Sequence, residues 1–311
     1  MTMSQDNSSA NLQGRIIRFP ITRILLALLI INLSVMIAKL VVTPLLSDVE
    51  ADWGGRVKLT QPIVTPLPIG LALQALLSAG ITILFSYGAF YAYVHFVERR
   101  DFTELAPAGA LKEFGGGMLV GGLLSAAVIC VLAVLGMYDV GSLNDWTVLI
   151  IPLTGAIISA FLEEIMFRGI FFKIVEESLG TWLALLITAT MFGLLHLGNP
   201  GATLVGSLAI ILNAGILLAA AYILTRRLWL AIGIHFAWNF TQAGIFGVTD
   251  AQGLLQANLS GPAWLSGGDY GPEVSVVATV LCLIVGSYFI MRAIRKNHIL
   301  QPSWRRSPGA R

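Results

Sequence analysis

The sequence predicts an all-α, polytopic membrane protein of about eight transmembrane helices with both termini cytoplasmic. Three observations carry this. Of 311 residues, 56% are hydrophobic and only 12% are charged, about half the charged share of a soluble domain. The apolar residues come in runs of about twenty, the length a helix needs to cross the hydrocarbon of a bilayer. The basic residues, finally, fall almost entirely between alternate runs. A β-barrel is excluded, because its strands would alternate in polarity over about ten residues.

Taken in order, the runs cover roughly 21–43, 67–94, 114–136, 147–172, 181–197, 203–222, 228–248 and 274–291, each bounded by polar or helix-breaking residues. The first carries Lys39 near its end and no small-x-small cleavage site follows it, so it reads as a retained helix and not as a signal peptide. The third opens with Gly115, Gly116, Gly117, Gly121 and Gly122, small residues that let membrane helices approach closely. No strand precedes them, so they do not form a phosphate loop. Cys130 and Cys282 both fall inside runs, where apolar packing is their simplest use.

If the helices alternate in direction, Arg15, Arg18, Arg99, Arg100, Lys112, Lys173, Arg226, Arg227, Arg292, Arg295, Lys296, Arg305, Arg306 and Arg311 share one side. Only Arg56 and Lys58 fall on the other, with Asp48, Glu50, Asp52, Asp139, Asp145, Asp250 and Asp269. The positive-inside rule makes the first side cytoplasmic. The basic residues are dispersed and the net charge is +2, which suits orientation and contact with anionic lipid head groups and gives no nucleic-acid partner.

The chain accordingly divides into a disordered cytoplasmic N-terminus, 1–18, whose first 14 residues are rich in Asn, Ser and Gln, a single transmembrane helical domain, 19–291, and a basic cytoplasmic tail, 292–311. Residues 48–68 and 249–273 read as external loops broken by Gly and Pro. Neither resembles a soluble catalytic domain, so any chemistry must use groups within the bundle. Phe102, Leu105 and the stretch through Leu111 are placed in the membrane interface.

Those groups are few. Glu163 and Glu164 stand side by side in ISAFLEEIMFRGIFF, and a carboxylate in hydrocarbon is costly unless paired, hydrated or protonated. Glu164 and Arg168 are four apart, on one helical face, and form a charged pair; Glu163 is rotated about 100° away and stays available. The polar stretch KIVEESLG carries the fourth helix past the bilayer to a turn at Ser178–Gly180. Glu163 precedes that turn, and His196 follows it, by nearly equal numbers of residues, which at 1.5 Å per residue puts both about 25 Å from it.

Phe192 lies one turn before His196 and walls the same pocket, while Gly198, Asn199 and Pro200 end that helix just beyond. The seventh run supplies His235 and Asn239 on one face, His235 about 12 Å along the helix from Arg226 and Arg227. Asn213 reads as a brace between helices and Trp238 as bundle or lipid lining, while His95 and His298 are accounted for by solvent exposure.

One carboxylate, two imidazoles and an amide meet the needs of peptide-bond hydrolysis: an activated water, a partner for the carbonyl oxygen, and a proton for the leaving amine. Glu163, His196 and His235 would equally hold Zn²⁺ with a water in the fourth position. The spacing favours neither. A proton-coupled transporter or a non-catalytic scaffold would use the same groups as proton ligands or as polar glue, but a transporter of this size is expected to show a pair of repeats, and none is evident.

Together, Glu163-Glu164-x-x-x-Arg168, Phe192-x-x-x-His196 and His235-x-x-x-Asn239 resemble the CPBP family of intramembrane proteases, which includes the prenyl-protein (CAAX) processing endopeptidases and the bacterial bacteriocin-processing or Abi proteins. The resemblance implies an eight-helix membrane fold with a catalytic core at about 147–248, Glu163 as the residue that activates water, and His196, His235 and Asn239, beside Glu164, as its companions. It implies a membrane-associated protein or peptide as substrate and the bacterial cytoplasmic (inner) membrane as the place of action. It leaves open whether a metal takes part.

Overall fold

The computed structural model describes residues 19–43, 49–51, 57–59, 66–248 and 253–306. The expected disorder of 1–18, most of the loop 48–68, and Arg15, Arg18, Asp48, Asp52, Arg56, Asp250 and Arg311 of the charge pattern lie outside the described residues. The rest is a helical bundle, with α1 (Pro20–Val42), α2 (Ile69–Ala92), α3 (Ala110–Val134), α4 (Ile150–Glu164), α5 (Lys173–Leu195), α6 (Leu204–Ile210), α7 (Ile216–Thr225), α8 (Trp229–Phe240) and α9 (Val276–Arg295). π-helical stretches continue α2 (Tyr93–Glu98), α4 (Ile165–Phe172), α6 (Ile211–Gly215) and α8 (Thr241–Ile245).

Six stretches among the described residues are long and apolar enough to cross a membrane: Pro20–Val42, Ile69–Glu98, Ala110–Val134, Trp146–Gly198, Leu204–Thr225 and Val276–Arg295. The difference from eight has two sources. Trp146–Gly198 is 53 residues long and is broken at Gly180 (φ 79°, ψ 169°), a backbone that suits only glycine. Phe167 and Phe192, on either side of that break, touch with ring centroids 4.9 Å apart, so the chain reverses there and the stretch is a helical hairpin. The other source is α8, whose 12 residues and 5-residue π extension are short for a span. The protein is nonetheless an all-α integral membrane protein, its outer faces studded with exposed Leu25, Leu29, Leu33, Leu84, Leu119, Leu123 and Ile284, side chains suited to lipid.

Two short antiparallel ribbons, which hydropathy does not reveal, join the loops: β1 (Val49–Ala51) with β2 (Val57–Leu59), and β3 (Tyr138–Leu143) with β4 (Leu255–Leu259), the latter bulged between Val140 and Ser142.

Glycines position α8. A Cβ on Gly117 would stand 2.3 Å from the Leu230 carbonyl oxygen, one on Gly121 2.2 Å from that of Ile234, and one on Gly233 2.2 Å from that of Phe114. The backbones of α3 and α8 therefore lie against each other just where His235 begins its turn. Of the glycine cluster, Gly115 and Gly116 face open space and take no part. The principal core fills the space between α1, α2, α4, α5 and α8 with Phe90, Tyr93, Ile165, Phe172, Ile223 and Ile232.

The connection from α2 to α3 also differs from expectation. Leu105 is fully buried and Phe102 packs edge-on against Tyr87, Phe90 and Tyr91, so these two face protein, while Leu111 is exposed. Cys282 packs in the core while Cys130 is exposed. His95 is exposed and stacks on Tyr91. His298, by contrast, is half-buried and donates from Nδ1 to the Ile223 carbonyl at 3.0 Å.

Residues 298–306 lie across the Gly180 turn. The Thr181 N–H donates to the Leu300 carbonyl (3.0 Å), the Leu300 N–H to Thr181 Oγ1 (2.8 Å), and Arg306 Nη2 to the Glu177 carbonyl (2.8 Å). Arg226 joins them, donating to the Glu176 carboxylate and to the His298 carbonyl.

Nearby, Glu104 is wholly buried, paired with Arg100 at 2.8 Å and with Lys173 at the start of α5, and its carbonyl accepts the Leu228 N–H at 2.9 Å. One residue thus ties the α2–α3 connection to the two helices that frame the site. Burial disfavours its charge, but Lys173 and Arg100 outweigh it and hold the Glu104 carboxyl below the ordinary carboxylate range. Glu104→Ala is expected to cost about 3 kcal/mol near neutral pH, because it leaves Lys173 without its carboxylate and Arg100 with only its longer pairing to Glu98. Since the folded carboxyl titrates below its unfolded value, that contribution is complete above the unfolded value and is lost as pH falls through the folded one. Thermal unfolding of both proteins in one detergent, scanned from neutral to acid pH, should show the gap closing in acid.

Candidate active site

The end of α4 and the π stretch after it carry the acids and the arginine. A π turn adds a residue to the helical circuit and is common where side chains must be aimed. Here it follows Glu164 directly. Arg168 Nη1 lies 2.9 Å from Glu164 Oε1, with both side chains almost fully buried, and the guanidinium rests over the Phe192 ring, 4.7 Å from its centroid. Its Nη2 donates to the Ala214 and Gly215 carbonyls, each at 3.3 Å, at the end of the π stretch after α6. The expected pair is therefore present.

The same Glu164 oxygen also accepts His235 Nδ1 at 2.9 Å, a contact that sequence spacing does not suggest, since it links α4 to α8. With Nδ1 committed to Glu164, the other nitrogen, Nε2, faces Glu163, 3.9 Å from Oε2. That Glu163 oxygen is buried and receives no hydrogen bond from the described residues. Glu163 is thus the acid left available, as expected.

His196 follows the last residue of α5. Its Nδ1 donates to the Phe192 carbonyl at 2.7 Å, and its ring lies 4.5 Å from that of Phe192. Phe192 is fully buried and also meets the His235 ring edge-on at 6.3 Å. It stands between the two histidines as the pocket wall that its position one turn before His196 implied.

Asn239 is held by a partner on another helix. Its Nδ2 donates to Ser159 Oγ at 3.3 Å, so the amide is braced on α4 one turn before Glu163. Ser159 carries a signal in the sequence, a polar residue four before Glu163 on the same face, that was not read. Asn213 does brace the bundle, donating from Nδ2 to the Glu273 carbonyl at 2.7 Å.

Glu273 is a second group not anticipated. It sits in the turn Pro272–Val274 before α9, in the loop whose glycines and prolines mark it as external. Its backbone carbonyl is the one that Asn213 reaches, and its carboxylate lies within electrostatic reach of His196, His235 and Glu163. Withdrawal from water pushes the Glu273 carboxyl above the ordinary range, against the pull of His196, Trp238 and His235.

Glu163, His196 and His235 are the donors a zinc site would use. Each imidazole has Nδ1 engaged and Nε2 left over, as metal-binding histidines do. Among the described residues, however, no group of three or more His, Cys, Asp or Glu side chains stands close enough to hold an ion. The donor chemistry suits zinc, and the three side chains are not gathered around a common point.

Residues 145–241 match a family model described as Rce1-like, type II CAAX prenyl endopeptidase Rce1-like. The match spans α4 to α8 and contains all three motifs. Comparison with curated proteins and with solved structures gives no match at all.

Arg168→Ala is expected to lower stability by about 3 kcal/mol or more, because it strands a buried carboxylate. Replacing the pair together, by Arg168→Met with Glu164→Leu, should recover part of that loss. Unfolding midpoints in a single detergent decide it, and an unchanged midpoint for Arg168→Ala would deny the pair its structural weight.

Proposed function

With a core at residues 145–241 that belongs to the Rce1-like, CPBP-type family of CAAX endopeptidases, we propose that this protein hydrolyses a peptide bond in a membrane-associated protein or peptide, with Glu163 as the group that activates water. The observation that carries the reading is the division of labour between adjacent acids. Glu164 takes Arg168 and His235 through Oε1, whereas Glu163 makes no hydrogen bond through Oε2, whose polar neighbour is His235 Nε2 at 3.9 Å.

A water about 2.8 Å from both atoms would give a proton to Glu163 as its oxygen attacks the scissile carbonyl carbon. The carbonyl oxygen then becomes an oxyanion that accepts from the amide of Asn239 and, with the His196 ring doubly protonated so that Nε2 also carries a hydrogen, from His196 at the end of α5. As the tetrahedral intermediate collapses, Glu163 returns the proton to the nitrogen of the leaving amine and the C–N bond breaks. Glu164 and Arg168 keep His235 turned toward the water throughout.

The bundle crosses the membrane eight times in this reading, counting the Gly180 hairpin as two spans and α8 as one. Both termini are cytoplasmic, on the side of Arg226, Arg227 and the C-terminal basic residues. The membrane is the bacterial inner membrane. A lipid-modified substrate is favoured by an apolar cavity of about 530 Å³ lined by Tyr87, Leu111, Phe114, Phe161, Trp229 and Ile232, which suits an isoprenyl chain. Processing of an unmodified peptide, such as a bacteriocin precursor, is the second variant.

The test is cleavage of paired tagged peptides, prenylated and unprenylated, by purified protein in detergent. Glu163→Gln is expected to lower turnover by roughly 10²-fold or more with the melting temperature unchanged, since the amide keeps the shape but cannot take the proton. Chelation separates the mechanisms. Activity that survives it supports the carboxylate and water, and activity lost and restored by Zn²⁺ would move Glu163, His196 and His235 into a metal site. Solute transport without cleavage would overturn the proposal.

A further inference from the structure

Ser159 lies outside the three motifs and has no part in the hydrolysis above. It stands four residues before Glu163 on α4, and its partner Asn239 stands four after His235 on α8. The two helices therefore meet in two rungs. One brings Glu164 and Glu163 to His235, at 2.9 and 3.9 Å, and the other brings Asn239 to Ser159, at 3.3 Å. The helices stay in contact beyond the second rung, where a Cβ on Gly244 would stand 3.2 Å from Pro152 Cβ.

The hydroxyl decides which way the Asn239 amide points. A serine has one hydrogen to give, and Ser159 gives it to the Ala156 carbonyl, 3.1 Å away on its own helix. Its oxygen can then only accept, so Asn239 must bring its NH2 group and not its carbonyl to α4. One hydrogen of that group goes to Ser159, and no described residue takes the second. Packing alone does not ask for a hydroxyl here. Ser159 has buried alanines beside it, Ala156 and Ala160, and a third alanine would fill the same place. Asn239 is only half-buried, so water could serve its amide. The spacing suits the chemistry as well. Adjacent rungs are one turn, about 5.4 Å, apart, which is close to the span from an attacking oxygen, across a tetrahedral carbon, to a nitrogen about 2.9 Å from the second oxygen.

We propose that Ser159 is a positioning residue of the hydrolytic site: by accepting one hydrogen of Asn239 Nδ2 it turns the amide so that the other N–H meets the oxyanion formed on the scissile carbonyl. Ser159 acts through Asn239 and does not touch the reacting atoms. The inference rests on the proteolytic reading and adds to its machinery a residue of α4 that the motifs leave out.

The experiment records kcat, KM and melting temperature on a cleaved peptide for wild type, Ser159→Ala, Ser159→Thr, Asn239→Ala and the double variant Ser159→Ala with Asn239→Ala. Ser159→Ala is expected to lower kcat roughly 10-fold, less than the roughly 10²-fold cost of removing an oxyanion donor outright. KM should stay within about twofold and the melting temperature should not fall, since the lost interaction is made in the transition state. Ser159→Thr, which keeps the hydroxyl, should recover most of the rate. In the double variant the serine change should add nothing to the loss from Asn239→Ala, and this cycle decides even if Ser159→Thr does not fold. A Ser159→Ala enzyme with wild-type kcat, a loss that tracks a fall in melting temperature, or losses that multiply in the double variant would overturn the inference and leave the proteolytic reading standing. A wild type that cleaves no peptide would remove both.

Discussion

A single carboxylate oxygen organises the interior of this protein. Glu164 Oε1 receives Arg168 from its own helix and His235 from α8, and almost no solvent reaches any of the three. In surroundings of low polarity an unpaired charge is prohibitive, so each member keeps the others in place. Bonding α4 to α8 in this way fixes the rotation of His235, and with it the nitrogen that looks toward Glu163. The acid that holds Arg168 and His235 and the acid that faces His235 Nε2 are neighbours in sequence, turned apart by one helical step.

The helical irregularities serve the same end. Three of the π-helical stretches fall directly after Glu164, around Asn213 and after Asn239. The one at Ile211–Gly215 presents the carbonyls that Arg168 takes with its second nitrogen and places Asn213 to reach the Glu273 backbone. Widened turns are unfavourable in a plain helix and recur at functional sites. Here they let side chains from four helices converge without loops inside the bundle, where exposed backbone would be unpaired.

Much of this was legible in the sequence. Hydropathy located the runs, because the bilayer sets their length. Helical spacing paired Glu164 with Arg168, and counting from Ser178–Gly180 levelled Glu163 with His196. What stayed hidden was lateral. No periodicity within one helix shows that His235 reaches across to Glu164, that Asn239 turns to Ser159, or that Leu105 is buried under its neighbours. Glu273 was passed over for a related reason: a carboxylate in a Gly- and Pro-rich loop looks solvated until the loop is seen folded over Phe192. Hydropathy also counts α8 as an ordinary span, although its helix is shortened and closed by a π turn.

The strap of residues 298–306 across the Gly180 turn links the site to the order of synthesis. The hairpin that carries Glu163 on one arm and His196 on the other is made midway through translation, but the hydrogen bonds from Leu300 and Arg306 that close its tip come from residues made after α9. Until the final span has entered the bilayer, the two arms lack their clasp. The tip of the hairpin is therefore tied down by a segment made after the helices it joins.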